Sequence, residues 1–208
     1  MSISYYKISL MIQFINLSKQ IPYKIFHKKY TESLNANQRN IEAICISSYS
    51  TKEKEVNARF VNLKIVDGEE FIFFSNYKSP KSINFIEHPQ ITALFYWNTT
   101  NTQIRMKANI KKTSKEFNRT YFAERDRKKN ALAISSKQSS IIESYEDVQK
   151  NYDKSLKSDD LKKCPDYWGG FSFKPYYFEF WEGHDSRLNK REIYELKSNE
   201  WMHSFLQP

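Results

Sequence analysis

The chain has 208 residues, 39% hydrophobic and 16% aromatic, with a mean hydropathy of −0.74 and a formal net charge of +9. Such a length can bury a core within one domain, and 15 Phe with 14 Tyr exclude a disordered chain. The cations are interspersed with acids instead of forming a basic tail, so they read as solvated surface and no nucleic-acid partner is expected.

Residues 1–21 read as a flexible or docking arm. The apolar run from Ile8 to Leu17 is too short to span a bilayer and has no basic leader, so no membrane association is expected. Pro22 opens a helix, with Tyr23, Phe26, Tyr30 and Leu34 following at helical spacing. Ile41–Ser48 reads as a strand, and Cys45 within IEAICI as a core thiol. Cys45 and Cys164 are far apart without a CxxC pattern, which argues against a disulfide framework or a metal site and fits a reducing, cytoplasmic setting.

Val56–Ile65 alternates so that Arg59, Val61, Leu63 and Ile65 share one face, and Asp67-Gly68 supplies the turn to a strand at Phe71–Ser75. Ser79-Pro80 starts a short helix that ends near His88-Pro89. Strands follow at Ile91–Trp97 and Thr102–Lys112, then a helix over Ser114–Glu124. Ser144–Asp160 is a solvated helix leading to a loop, and the last strands are Phe171–Lys174, Tyr176–Glu182 and Arg191–Leu196. Strands interrupted by a few helices, without βαβ alternation, predict a mainly β or α+β domain over 22–208.

The motifs ARFVNLK (58–64), FSNYKSPKS (74–82), LFYW with Gln103 beyond it, YFAER (121–125), SKQS (136–139), YWGGF (167–171) and FEFWEGHDSRLNKR (178–191) occur in one order. In order and spacing they resemble the pyridoxamine 5′-phosphate oxidase family, from about Pro22 to the C-terminal LQP. The resemblance implies an FMN-binding split β-barrel with flanking helices, working as a homodimer with flavin at the interface. It implies oxidation of pyridoxamine or pyridoxine 5′-phosphate to pyridoxal 5′-phosphate, with dioxygen as acceptor and hydrogen peroxide as product.

By the same resemblance, FMN is held by Arg59, Phe60, Val61, Asn62, Leu63, Lys64, Phe74, Ser75, Pro80, Lys81, Gln103, Gln138, Ser139, Trp181 and Arg191. The phosphorylated substrate meets Lys64, Tyr121, Arg125, Lys129, Arg187 and Asn189, the last two at the reacting centre. These residue types suit those tasks: Arg grips phosphate bidentately, Lys adds a point charge, and Gln can meet a flavin edge offering both donors and acceptors.

The sequence departs from the family inside this set. Asn189 stands for a His, Lys129 for a Ser, Pro80 for an Arg and Phe74 for a Tyr. Ile134 stands for a Trp, and Asn62 for an aliphatic residue. Asn189 and Lys129 favour a second reading, a same-fold flavin oxidase acting on another ring as the phenazine-biosynthesis oxidases do. A non-catalytic flavin-binding protein is the third.

Overall fold

The computed structural model describes residues 11–208, with nine strands and five α-helices among them. The strands are β1 Gln13–Ile15, β2 Ala43–Ser50, β3 Glu55–Asp67, β4 Glu70–Asn76, β5 Gln90–Trp97, β6 Thr102–Lys112, β7 Trp168–Glu182, β8 Lys190–Lys197 and β9 Glu200–Leu206. The helices are α1 Ile21–Asn35, α2 Pro80–Glu87, α3 Lys115–Glu124, α4 Arg127–Ser135 and α5 Tyr145–Ser158.

Neighbouring strands run β3-β2-β5-β6-β7, and β4 pairs with both β3 and β7, closing a six-stranded barrel. Strands β8 and β9 continue outward from β7, and β1 adds to β3 in parallel. The arm expected over residues 1–21 therefore includes a strand, whose neighbour Ile12 donates its backbone N–H to Tyr30 Oη at 3.1 Å. Residues 1–10 lie outside the described residues.

Alternation along each strand sorts residues into the barrel or out of it. The cross-strand row Arg59, Ile46, Ala93, Met106 and Phe178 runs on the inward side. The row beside it, Phe60, Cys45, Leu94, Arg105 and Glu179, faces outward. Cys45 is accordingly half-buried and not the core thiol its apolar neighbours suggest, because strand parity and not local hydropathy decides the face.

Helix α1 packs the inner rings. Tyr23, Phe26 and Tyr30 are buried, and Phe26 meets Phe71 at 5.0 Å and Phe95 at 5.6 Å between centroids. Each such ring contributes about 1.5–3 kcal/mol of burial.

One expected division is absent. The separate strands at Phe171–Lys174 and Tyr176–Glu182 are one strand, β7, crossing Pro175 where its register against β6 shifts. A bulge there absorbs the missing N–H. Besides β1, two elements were not foreseen: α4, opened by Asp126 accepting from Lys129 N, and β9, which pairs antiparallel with β8 from Arg191 to Lys197. Among the described residues no helix is long and apolar enough to cross a membrane.

Candidate active site

The expected site residues fall into four groups. The first is built on β3 and the amino end of α2. Arg59 donates through Nη1 to Ile46 O at 3.1 Å and to Ser48 Oγ at 2.8 Å. Lys81 is buried, with Nζ 3.2 Å from Ser79 Oγ. Burial first, and the Arg59 charge second, push the Lys81 ammonium down to about 8. Burial also draws the Arg59 guanidinium below its usual range.

Among the described residues neither cation meets a carboxylate in an ion pair or hydrogen bond. Ser79 spends its hydroxyl on Asn76 O at 2.8 Å, so no side chain caps α2, and Pro80 occupies its first turn without an N–H. A buried lysine and a half-buried arginine beside an uncapped helix start form a place for an anion. A phosphate-bearing cofactor such as FMN fits it.

The second group gathers around the C-terminal end of α3. Lys64 is the extra residue of a bulge between Leu63 and Ile65, where β3 slips against β4. Burial lowers its pKa most; Glu42, at 3.8 Å, opposes this, and the charges of Lys129 and Arg125 add to the depression. Arg125 packs over Trp168 at 5.1 Å and donates to Lys129 O and Asn130 Oδ1. Burial again holds its guanidinium below the usual range. Tyr121, whose hydroxyl burial pushes up, stacks on Phe74 at 3.8 Å, and Phe74 stacks in turn on Trp168 at 5.0 Å. Three cations thus converge beside a rigid aromatic stack.

Gln138 links β4 to the loop after α4: its Oε1 accepts from Ser75 Oγ at 3.2 Å and Asn76 N at 3.3 Å. Ser139 follows with φ of 68° on an exposed turn. Leu63 is wholly buried in the barrel and Val61 packs against that core, whereas Phe60 and Asn62 are exposed on the outward side.

The third group is a single cross-strand row on the outward face. Gln103 on β6 is paired with Trp181 on β7, and Trp181 with Arg191 on β8. This row does not share the inward side of Arg59, so one chain alone does not bring all the expected flavin residues together. The fourth group lies in the β7–β8 loop. Arg187 is exposed with φ of 61°, its N–H donating to His184 O at 2.8 Å. Asn189 Oδ1 accepts from His184 N at 3.0 Å.

Several supporting residues carried no motif signal. Asn130 is buried and donates to Phe122 O at 2.7 Å and Leu161 O at 2.8 Å while its Oδ1 takes Arg125. Glu179 is legible only from parity, since Tyr177, Glu179 and Trp181 alternate with the buried Phe178 and Phe180. A Cβ on Gly169 would collide with the Tyr77 hydroxyl and Asn118, which accounts for the YWGGF glycine. Among the described residues no group of His, Cys, Asp or Glu could hold a metal ion.

A family profile described as pyridoxamine 5′-phosphate oxidase matches residues 30–153. A second, described as the pyridoxine 5′-phosphate oxidase C-terminal dimerisation region, matches residues 168–208. The chain is 32% identical to a pyridoxine/pyridoxamine 5′-phosphate oxidase of Colwellia psychrerythraea, over 92% of this chain and 88% of that one. It is 34% identical to the Aliarcobacter butzleri protein of the same name, over 91% and 90%.

Against the chloroplastic pyridoxine/pyridoxamine 5′-phosphate oxidase 1 of Arabidopsis thaliana it is 35% identical, but it spans only 33% of that longer relative. Among solved structures it is similar in fold to PhzG of Burkholderia lata, with a TM-score of 0.84 at 22% identity over 90% of this chain and 92% of that one. An FMN-binding protein of Nostoc punctiforme gives 0.77 at 12% identity, over 91% and 100%. With one profile on the barrel, another on its C-terminal strands, and bacterial relatives above 30% identity over nine-tenths of the sequence, the chain belongs to the pyridoxamine 5′-phosphate oxidase family of oxidoreductases.

Proposed function

We propose that the protein is an FMN-dependent oxidase converting pyridoxamine or pyridoxine 5′-phosphate to pyridoxal 5′-phosphate, with dioxygen as acceptor and hydrogen peroxide as product. The observation that carries this reading is the presence of two separate cation clusters. Arg59 with Lys81 forms one, and Lys64 with Arg125 and Lys129 the other. Arg59 and Lys64 are five residues apart on β3, roughly 16 Å along a strand, which suits two phosphates on two molecules.

In this reading Arg59 and Lys81 hold the cofactor phosphate, while Ser75, Gln138 and Gln103 address the polar edge of its ring. Lys64, Arg125 and Lys129 hold the substrate phosphate with Tyr121, and Arg187 leans over the substrate ring to orient it. Bound FMN supplies the hydride acceptor and passes the electrons to dioxygen. The chain contributes placement, charge and exclusion of water.

The row Gln103–Trp181–Arg191 reaches a flavin only from a second copy. The outward face bears Val56 at 73%, Phe60 at 72% and Tyr96 at 57% exposure, an apolar area that a homodimer would cover.

One observation favours the second reading, a different ring substrate. Asn189 cannot carry charge, and its Oδ1 is already engaged by His184 N. A peroxide-coupled assay on FMN-loaded protein with both phosphorylated vitamers separates these readings. Peroxide and pyridoxal 5′-phosphate in step support the first. A yellow protein giving neither refutes the first and leaves the second and the non-catalytic flavin-binding reading, and a colourless protein that will not take up FMN refutes both oxidase readings.

A further inference from the structure

One buried carboxylate sits against the second cation cluster, where the other carboxylate, Asp126, acts on Arg125 from the surface. Glu42, the residue before β2, is 3% exposed. Its Oε1 lies 3.8 Å from Lys64 Nζ, and its Oε2 is buried without a hydrogen-bond partner among the described residues. Its backbone is pinned beside the Lys64 bulge, because Leu63 N donates to Glu42 O at 2.9 Å. A buried carboxylate oxygen with no donor is costly, and here it persists beside Lys64, which itself feels Lys129 and Arg125.

Charge balance gives that carboxylate a purpose. Lys129 stands where the family has a serine, so the pocket holds one cation more than the resemblance requires. The Glu42 carboxylate next to Lys64 offsets one of the cluster's cations, so that Lys64, Arg125 and Lys129 together present one positive charge less to a phosphate monoester, which carries about −1.5 to −2. Without Glu42 the pocket would be overcharged and would hold phosphorylated ligands, the product included, more tightly.

We propose that Glu42 is a specificity-determining residue that shares Lys64 with the incoming phosphate and so limits how tightly the pocket holds phosphorylated ligands. The proposal rests on the reading of this cluster as the substrate-phosphate pocket. The competing role is purely structural: Glu42 would merely keep a buried lysine charged, and its loss would then weaken phosphate binding. The two roles predict opposite signs.

The test is equilibrium binding of pyridoxal 5′-phosphate and of pyridoxal to the FMN-loaded full chain, wild type against Glu42→Gln. Glu42→Gln should tighten the phosphorylated ligand roughly tenfold and leave pyridoxal unchanged. The charged groups acting on Lys64 among the described residues are Glu42, Lys129 and Arg125. Removing the one that raises its pKa moves the alkaline limb of phosphate binding to lower pH. Adding Lys129→Ser to Glu42→Gln should return the affinity to within about twofold of wild type, since one charge of each sign has then been removed.

Unchanged or weakened binding of pyridoxal 5′-phosphate by Glu42→Gln, or equal tightening of both ligands, overturns the proposal. If that variant does not fold, Glu42→Thr carries the same expectation. If wild type itself fails to prefer the phosphorylated ligand, the phosphate-pocket reading falls and takes the proposal with it. Failure of the variant alone, on a wild type that discriminates the two ligands, overturns only the role of Glu42.

Discussion

Arg191 places both Nε and Nη2 at 2.8 Å from the same oxygen of Glu179. The other carboxylate oxygen takes the Arg105 guanidinium and accepts from Tyr177 Oη at 3.2 Å. Burial opposes the Glu179 charge, but the two arginines outweigh it and hold the carboxyl below the usual glutamate range. Glu179→Gln should cost about 3–5 kcal/mol, because two guanidiniums lose the anion between them. A depressed pKa means the stabilisation is complete above the unfolded value, near 4.3, and is lost as pH falls through the folded one. Urea titrations from pH 3 to 7 should show wild type losing stability on the acid side and the variant losing less.

Lys81 gives a pH dependence of the opposite form. Its ammonium is cationic below about 8, so FMN affinity should fall as pH rises through that value. Lys81→Gln should weaken FMN binding roughly tenfold or more and remove most of this alkaline limb. In the apoprotein the folded state sheds this proton before the unfolded chain does, so the contribution of Lys81 to stability rises with pH between about 8 and the unfolded value near 10.4. Fluorescence titration of FMN and denaturation of the apoprotein, both against pH, check the two signs.

Arg187 sits exposed at φ of 61°, a conformation that costs a non-glycine residue about 1–2 kcal/mol. Arg187→Ala should lower turnover on either phosphorylated vitamer roughly a hundredfold while FMN is retained; equal loss of both would refute its placement over the substrate. Asn189→His should raise activity on pyridoxine 5′-phosphate or leave it unchanged. Steady-state kinetics beside FMN content measure both.

Phe26 is completely buried between Phe71, Phe95 and Trp97. Phe26→Ala should destabilise the fold by about 3–5 kcal/mol through lost burial and an unfilled cavity. Chemical denaturation reads this directly.

The barrel strands were legible wherever alternation was clean, as in β3 and β6, and Asp67-Gly68 marks its turn because Gly68 adopts φ of 58°. Helix α3 was equally legible through Ser114, whose hydroxyl accepts from Phe117 N. Strand β1 was not, because three residues pairing in parallel with Gln13 opposite Ile65 leave no local pattern. Strand β9 is mostly exposed although Trp201, Met202, Phe205 and Leu206 are apolar, so its existence rests on pairing with β8 and not on burial. In the site, Arg59, Lys81, Lys64 and Arg125 were legible from motif spacing. Glu42 was not, because a glutamate preceding an apolar run looks like solvated surface until the fold covers it.

Strand β7 pairs with β4, β6 and β8. Until residue 168 has been synthesised, the earlier barrel strands can form only an open sheet ordered β4-β3-β2-β5-β6, with both borders unsatisfied. Ring closure therefore waits for the last fifth of the chain to leave the ribosome. The nascent protein spends most of its synthesis with two strand edges that neighbouring chains can capture. Truncation after α5 removes not a peripheral segment but the clasp of the barrel, and such a fragment should aggregate instead of folding into a smaller domain.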